Sequence, residues 1–194
     1  MDTGYDALMA PLEKRWLTKY RALLMAYANG DVLEIGFGTG ANLNYYLPEK
    51  IKSLVALDVD QQKLIRDSAN IEVNYVAGSA EKMPFEDNCF DTVVETLVFC
   101  SVSDLEASVS EVLRVLKPGG KFIFMDHVLP EENLLATLFK GANIVWHHIA
   151  HGCSLTREPH RVIEKYDLVV IDSGTFANGI FRYGVIEKPL RLTN

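Results

Sequence analysis

The feature that most constrains the fold of this chain is a run of apolar residues that leads directly into a glycine-rich turn. The sequence VLEIGFGTG begins at Val32 and predicts a buried strand, followed by a turn that contains Gly36, Gly38 and Gly40. Alternate glycines remove the Cβ atoms from one side of a turn, so the backbone can adopt positive φ angles and bring its N–H groups close to a ligand. The pattern predicts a binding site for a nucleotide-like cofactor at the carboxyl end of the strand.

Two acidic residues indicate which cofactor this turn binds. Glu34 lies two residues before the first glycine, where a carboxylate repels a pyrophosphate. Asp58 ends the next apolar run, where it can accept hydrogen bonds from both hydroxyls of a ribose. These carboxylates favour S-adenosylmethionine, which has a ribose and a sulfonium cation but no phosphate. The spacing G-x-G-x-x-A also satisfies a dinucleotide fingerprint, so a nicotinamide-dependent oxidoreductase is the alternative.

Further motifs follow in a fixed order: GSAEKMPF from Gly78, FDTVV from Phe90 and VLRVLKPGGK from Val112. Together with the glycine turn and Asp58, they make the chain similar to the class I S-adenosylmethionine-dependent methyltransferases over nearly all of its length. The resemblance implies that S-adenosyl-L-methionine is the cofactor and S-adenosyl-L-homocysteine the product.

The resemblance also implies which residues bind the cofactor. They lie in the opening segment, in the glycine turn and at strand ends: Tyr5, Glu34, Gly36, Phe37, Gly38, Gly40, Asp58, Val59, Ser79, Ala80, Glu81 and Glu95. Family members use the segment around Glu95 to contact the methionine portion of the cofactor. At Ser79 the family usually has an acidic residue that receives the adenine amino group. We therefore expect adenine recognition here to use Ser79, the backbone of Ala80 and apolar packing.

Strands and helices alternate along the chain, which predicts a parallel sheet covered on both faces. We expect an α/β, Rossmann-like fold with a seven-stranded, mostly parallel sheet, helices on both faces and an antiparallel hairpin at the end. One domain is expected over 1–194: an opening helix or lid in 1–30, a cofactor-binding core in 31–128, and a substrate-side insert with the hairpin in 129–194. Predicted helices lie near 8–28, from 40, at 61–68, 104–116 and 131–149, and from 159; predicted strands lie near 32–35, 54–58, 73–76, 92–97, 121–127, 168–171 and 179–187.

Charge and cysteine content limit the partners and the compartment. A net charge of −7 disfavours sequence-independent binding to nucleic acid, so a small-molecule substrate is expected. Cys89, Cys100 and Cys153 contain no CxxC pair, which predicts neither a disulfide framework nor a cysteine zinc site, and Cys153 is expected to be a buried structural thiol. The absence of a signal peptide and of a bilayer-spanning apolar run predicts a soluble, cytoplasmic protein. The sequence does not define the oligomeric state.

A segment near the end of the chain carries a narrower resemblance. Its matching residues are Trp146, His148, Ile149, Gly152, Cys153, Leu155, Thr156, Arg157 and Glu158, and they are similar to the alkyl-thiol methyltransferase group of methyltransferase-like proteins. The resemblance implies S-methylation of an alkyl thiol. Quinone-precursor and phospholipid methyltransferases share the same cofactor motifs and remain alternatives, as does a protein that binds S-adenosylmethionine without turnover.

A thiol acceptor must lose its proton before it can be methylated, since its usual pKa is about 8.5. His127, which ends the fifth strand, is the first candidate base, and His148 is the second. Arg157 is a candidate for stabilising the thiolate or for binding an acidic substrate. The alternative for each histidine is a packed, hydrogen-bonded role, and the alternative for Arg157 is pairing with Glu158 or capping a helix. His147 and His151 have a possible metal-ligand spacing, but without a third firm ligand no metal is expected.

Overall fold

The computed structural model describes residues 13–60, 71–149 and 153–190. These residues form a seven-stranded sheet in the order β3-β2-β1-β4-β5-β7-β6. The strands are β1 (Gly30–Ile35), β2 (Ile51–Asp58), β3 (Val73–Ala77), β4 (Phe90–Thr96), β5 (Leu116–His127), β6 (Val169–Phe176) and β7 (Phe181–Glu187). The first five are parallel, and β7 is antiparallel to both of its neighbours. The predicted fold class is confirmed.

In the described part of the chain, four α-helices accompany the sheet. They are α1 (Thr18–Met25), which follows a π-helical turn (Glu13–Leu17), α2 (Leu105–Val115), α3 (Asn133–Ile149) and α4 (Pro159–Ile163). At the start of α2 the Asp104 carboxylate accepts a hydrogen bond from the backbone N–H of Ala107, which satisfies an otherwise unpaired donor of the first turn. Among the residues that the structure describes, none of the helices combines the length and the apolar character needed to cross a bilayer.

The central part of the sheet is buried on both faces, since successive residues of β1 and β4 are buried, with polar residues among them. Side chains of successive strand residues point to opposite faces, so Val32 and Leu33 enter different core clusters. On one face the cluster includes Leu24 of α1, and on the other it includes Val112 of α2. Two apolar layers therefore hold the central strands in place and fix the positions of their carboxyl ends.

The helix predicted to begin near Gly40 is wrong. In its place the chain forms two short 3₁₀ turns, Leu43–Tyr45 and Pro48–Lys50. Pro48 lacks a backbone N–H and disfavours a helical conformation of Leu47, which adopts extended φ and ψ angles. The segment thus has too few residues before the proline to complete a stable helix.

The other predicted elements differ mainly at their ends. In the described part of the chain the opening helix ends at Met25 rather than near residue 28, and β6 continues five residues beyond the predicted end to Phe176. The helix predicted at 61–68 lies outside the described residues. Between β1 and β4 the order of the strands reverses, which creates a crevice at their carboxyl ends where open α/β sheets bind ligands.

Candidate functional site

The glycine turn lies in this crevice and has the predicted backbone geometry. Gly36, Gly38 and Gly40 have φ angles of +62°, +52° and +71°, a region that L side chains rarely adopt. A Cβ atom on Gly36 would also overlap the side chain of Val98. The turn therefore requires glycine at this position for packing as well as for conformation, and a ligand can approach the backbone closely.

Asp58 connects the glycine turn to the end of β2. One oxygen of its carboxylate accepts a hydrogen bond from the Gly38 N–H at 2.8 Å, and the other accepts one from the Asp60 N–H at 3.0 Å. A carboxylate has about four acceptor positions, so Asp58 retains the capacity to accept two further hydrogen bonds from a ribose. The neighbouring side chain of Val59 is 77% exposed and offers apolar surface beside that position. Asp58 ends its strand as predicted, and Val59 follows it.

Phe37 does not face the crevice as an exposed ring. Its side chain is buried and makes an edge contact with the Tyr75 ring, with 5.6 Å between ring centroids. Phe37 can therefore offer only its backbone, within the glycine turn, to a ligand in the crevice.

The loop after β3 carries Ser79, Ala80 and Glu81. The Ser79 hydroxyl accepts a hydrogen bond from the Glu81 N–H at 3.2 Å, while the Ala80 side chain is buried. Glu81 accepts hydrogen bonds from the N–H groups of Ser103 and Asp104, at 2.6 and 2.9 Å. The Glu81 carboxylate therefore holds this loop against the start of α2. Of Ser79 and Glu81, it is Ser79 whose side chain stays available for the adenine contact expected from the sequence.

Glu34 lies beneath the glycine turn and is buried. Its carboxylate accepts hydrogen bonds from the Asn42 amide at 3.0 Å and the Tyr46 hydroxyl at 2.7 Å. Arg21 donates to Asn42 at 2.7 Å and to Thr96 at 3.0 Å, which links this network to the end of β4. Burial raises the pKa of Glu34 to about 7, although the two hydrogen bonds and Arg21 oppose the rise. Both carboxylate oxygens thus support the turn from within the protein, in contrast to the ligand-facing position expected from the sequence.

Glu95 shapes the loop that follows β4. Its carboxylate accepts hydrogen bonds from the N–H groups of Val98 and Phe99, at 2.7 and 3.1 Å. Between Glu95 and Val98, Leu97 has a φ angle of +61°, which is strained for a bulky residue and is maintained by these surrounding contacts. Glu95 therefore holds the chain in a sharp turn at the edge of the crevice.

A second buried carboxylate, Asp126, lies next to Glu95. Within the described part of the chain, neither oxygen of Asp126 nor the second oxygen of Glu95 has a hydrogen-bond partner. Burial raises the pKa of Glu95 to about 7. Burial and the adjacent Glu95 raise the pKa of Asp126 well above its usual value. The two raised pKa values mean that this pair of adjacent carboxyl groups retains a proton, so its oxygens are not free anionic acceptors.

Three buried side chains, Cys100, His127 and Cys153, converge beside these carboxylates, and we call them the thiol cluster. His127 Nε2 lies 2.8 Å from Cys153 Sγ, and the two sulfur atoms are 3.5 Å apart. The Trp146 indole N–H donates a hydrogen bond to Cys153 Sγ at 3.3 Å. Hydrogen bonding by the Cys100 thiol, followed by His127 and Trp146, lowers the pKa of Cys153. The cluster stabilises a negative charge on sulfur.

Backbone contacts hold the Cys153 segment against the loop after β4. The Ser154 N–H donates to the Cys100 carbonyl at 2.9 Å, and the Arg157 guanidinium donates to the Phe99 carbonyl at 3.2 Å. The alternative pairing of Arg157 with Glu158 is wrong, since Glu158 forms an ion pair with Arg161 at 2.8 Å. Arg157 thus lies next to the thiol cluster, and its hydrogen bond to Phe99 holds the two segments together.

The structure brings together some of the predicted residues and adds others. His127 lies in the thiol cluster, whereas the backbone of His148 lies in α3 and its side chain lies outside the described residues, as do Tyr5 and His151. Sequence reasoning missed Cys100 and Trp146 and treated Cys153 as structural. A signal was available, because Cys100 and His127 follow or end two strands that are neighbours in the predicted sheet.

The glycine turn, the acidic residue that ends β2 and the strand order together define a class I methyltransferase fold. A model of the methyltransferase domain family matches residues 33–124. The chain belongs to the S-adenosylmethionine-dependent methyltransferases. It is an enzyme of that class by both fold and sequence.

Individual proteins within this class are similar to the chain in sequence or in structure. The chain is 31% identical over 168 residues to human thiol S-methyltransferase TMT1A, an alignment that covers 83% of this chain and 69% of that protein. It is 38% identical over 141 residues to rat thiol S-methyltransferase TMT1B, covering 69% of this chain and 58% of that protein. Among solved structures, a putative methyltransferase from Bacillus halodurans matches 88% of this chain and 98% of that one, with a TM-score of 0.69 and 19% identity. The structural match supports the fold.

Proposed function

We propose that this enzyme transfers a methyl group from S-adenosylmethionine to the sulfur of a small alkyl thiol. The thiol cluster is the observation that carries the proposal. His127 and the indole N–H of Trp146 converge on one buried sulfur atom, at 2.8 and 3.3 Å, and the same groups can hold the sulfur of an acceptor that binds beside them. The names of the relatives TMT1A and TMT1B support the same acceptor class.

The described residues fit the cofactor that the family implies. Three positive φ angles in the glycine turn let its backbone approach a ligand, and Asp58 has acceptor capacity for a ribose diol. We propose that Val59, Ser79 and the Ala80 backbone line the adenine position, and that Glu95 lies at the methionine portion. The cofactor supplies a methyl group already activated on a sulfonium, so alignment of the acceptor is the main task of the protein.

His127 is the residue that we propose activates the acceptor. Its imidazole takes the proton from the acceptor S–H group, which leaves a thiolate in the buried site. The acceptor sulfur then forms a bond to the methyl carbon as the carbon–sulfonium bond breaks, and S-adenosylhomocysteine is released. His127 Nε2 lies 2.8 Å from Cys153 Sγ, so this step requires a neutral imidazole and an acceptor sulfur that takes the place of that contact.

We propose supporting roles for two other residues. His148 lies in the last turn of α3, in the segment that precedes the thiol cluster, and is proposed as a second proton acceptor. Arg157 holds the Phe99 carbonyl and is proposed to provide positive charge near the acceptor. A small acceptor agrees with the net charge of −7, which disfavours nucleic acid. The three cysteines are free thiols, which agrees with the reducing cytoplasm that we propose as the compartment.

The test is to incubate the protein with S-adenosylmethionine and a panel of alkyl thiols, quinone precursors and phospholipids. Release of S-adenosylhomocysteine is measured and the products are identified by mass. A methylated thiol is the expected product. Methylation of a quinone precursor or a phospholipid alone would assign another acceptor class, and tight cofactor binding without any product would indicate a binding protein.

Variants test the role of His127. We expect His127→Ala to lose at least about 100-fold in methylation rate, the usual contribution of a positioned base, with unchanged cofactor affinity. The control is His160→Ala, which removes a half-buried histidine of α4 outside the thiol cluster. Full activity of His127→Ala, or loss of cofactor binding in that variant, contradicts the proposed role.

A further inference from the structure

We propose that the thiol cluster binds a zinc ion. The three ligand atoms of Cys100, His127 and Cys153 lie within 4.8 Å of one another, and all three residues are buried. They come from three separate parts of the chain: the loop after β4, the end of β5 and the segment after α3. Two thiolates and one imidazole form a ligand set that zinc prefers, and Cys₂His sites of this kind occur in enzymes.

The distances agree with a tetrahedral site after a small adjustment. Zinc–sulfur and zinc–nitrogen bonds of about 2.3 and 2.1 Å place the ligand atoms about 3.5 to 3.8 Å apart. The two sulfur atoms are already 3.5 Å apart, and His127 Nε2 lies 2.8 Å from Cys153 Sγ. Moving the imidazole about 0.7 Å further from Cys153 Sγ brings this pair to the required distance, and Cys100 Sγ lies within 4.8 Å of the other two ligand atoms. Backbone movement on the scale of whole elements is not required.

One side chain beside the cluster is placed as an outer contact of a metal ligand. Trp146 donates its N–H to Cys153 Sγ at 3.3 Å, which is the kind of outer contact that orients a thiolate ligand.

Three protein ligands leave the fourth position of a tetrahedral zinc ion open, as in catalytic sites. The sulfur of the acceptor is a suitable fourth ligand, and this step rests on the proposed thiol methylation. The acceptor binds as a thiolate and its proton passes to solvent. His127 thus has a different role in the zinc-bound enzyme, where it is a ligand, than in the zinc-free enzyme, where it is the proposed base. Loss of activity in His127→Ala fits both roles, and the effect of zinc removal on methylation separates them.

The test uses the full chain, produced in zinc-supplemented medium and purified without chelators. We expect about one zinc ion per chain by elemental analysis, as for a single site. Cys100→Ser, Cys153→Ser and His127→Ala should each lower zinc affinity at least about tenfold in competition with a chromophoric chelator, the loss typical when even an outer partner is removed. The matched control is Cys89→Ser, whose thiol donates to the Glu86 carbonyl outside the cluster and should retain zinc.

Further measurements distinguish a loss of zinc binding from misfolding of a variant and from failure of the proposed thiol methylation. Cobalt substitution should give a cysteine-thiolate charge-transfer band that is weaker in Cys153→Ser, which keeps one thiolate ligand, while the circular dichroism spectrum of that variant stays native. Wild-type protein that neither contains nor takes up zinc overturns the proposal. A loss of zinc affinity in Cys89→Ser as large as in the cluster variants also overturns it. Zinc binding without methylation of any thiol overturns the proposed function alone. Thiol methylation that survives complete removal of zinc overturns the activating role of the metal alone.

Discussion

Replacing Glu34 with glutamine should change how the stability of the protein depends on pH. Glu34 is buried, and its pKa in the folded state is about 7, compared with 4.5 as its ordinary value. The folded state therefore binds a proton more readily than the unfolded state does. Its contribution to stability is fully present below about pH 4.5 and is lost as the pH rises through about 7.

The magnitude follows from the pKa difference. The interval from 4.5 to about 7, at about 1.4 kcal/mol for each pKa unit, corresponds to about 3 kcal/mol. Between about pH 5 and pH 8 the same linkage gives about 2.5 kcal/mol, because some protonation of the unfolded state remains near pH 5. Glutamine cannot titrate but can keep hydrogen bonds to Asn42 and Tyr46. The free energy of unfolding of Glu34→Gln should therefore lack this contribution.

The assay is urea denaturation of the wild type and of Glu34→Gln at several pH values between about 5 and 8. The difference in unfolding free energy between the two proteins should change by about 2.5 kcal/mol across that range, with the wild type gaining stability toward low pH. Glu95 and Asp126 are present in both proteins, so their titration largely cancels. Glu49→Gln, which alters an exposed carboxylate in a 3₁₀ turn, serves as the control and should show a constant difference. A constant difference for Glu34→Gln as well, or a change of opposite sign, would refute the assigned burial of a neutral carboxyl group.

Three other substitutions test the site and the fold. Gly36→Ala should destabilise the protein by more than Gly38→Ala in urea denaturation. Each alanine is strained at a positive φ angle, at a cost of about 1 to 3 kcal/mol, but only the Cβ atom at position 36 also overlaps Val98. Asp58→Asn should weaken S-adenosylmethionine binding about tenfold or more by calorimetry, because a charged acceptor for the ribose is lost; unchanged affinity would remove Asp58 from the site. Lys188→Met should lower the free energy of unfolding by about 3 kcal/mol in urea denaturation. The buried Lys188 ammonium donates to three oxygen atoms at 2.7 to 2.8 Å, and its loss leaves those oxygens unpaired. An unfolding free energy equal to that of the wild type would contradict this account.

Much of the sheet could be predicted from the sequence because buried parallel strands are apolar runs that end at glycine, proline or acidic residues. The turn at Gly36 to Gly40 was equally predictable, since its backbone conformation itself demands glycine. Strand ends were less accurate. β4 ends at Thr96 rather than Leu97, because Leu97 takes a left-handed conformation that Glu95 maintains through contacts no periodicity describes.

The thiol cluster could not be predicted because it depends on contacts between distant parts of the chain. Cys100 and Cys153 are 53 positions apart, and His127 is 26 positions from Cys153. The register of β4 and β5, which pairs Thr96 with Met125, decides that the residues after these strands meet. A sequence pattern can indicate neighbouring strands, but it does not determine which side chains touch beyond their ends.

The backbone attachment of the segment at Cys153 to Ser154 has a consequence for how the acceptor range can change. The Ser154 N–H donates to the Cys100 carbonyl at 2.9 Å, and the Leu155 N–H donates to the side-chain oxygen of Asn143 at 2.7 Å. These contacts persist whatever side chains the segment carries at Leu155 and Thr156. Selection, natural or in a library, can therefore vary both positions and alter which molecules enter, while the docking of the segment and the fold beneath it are retained.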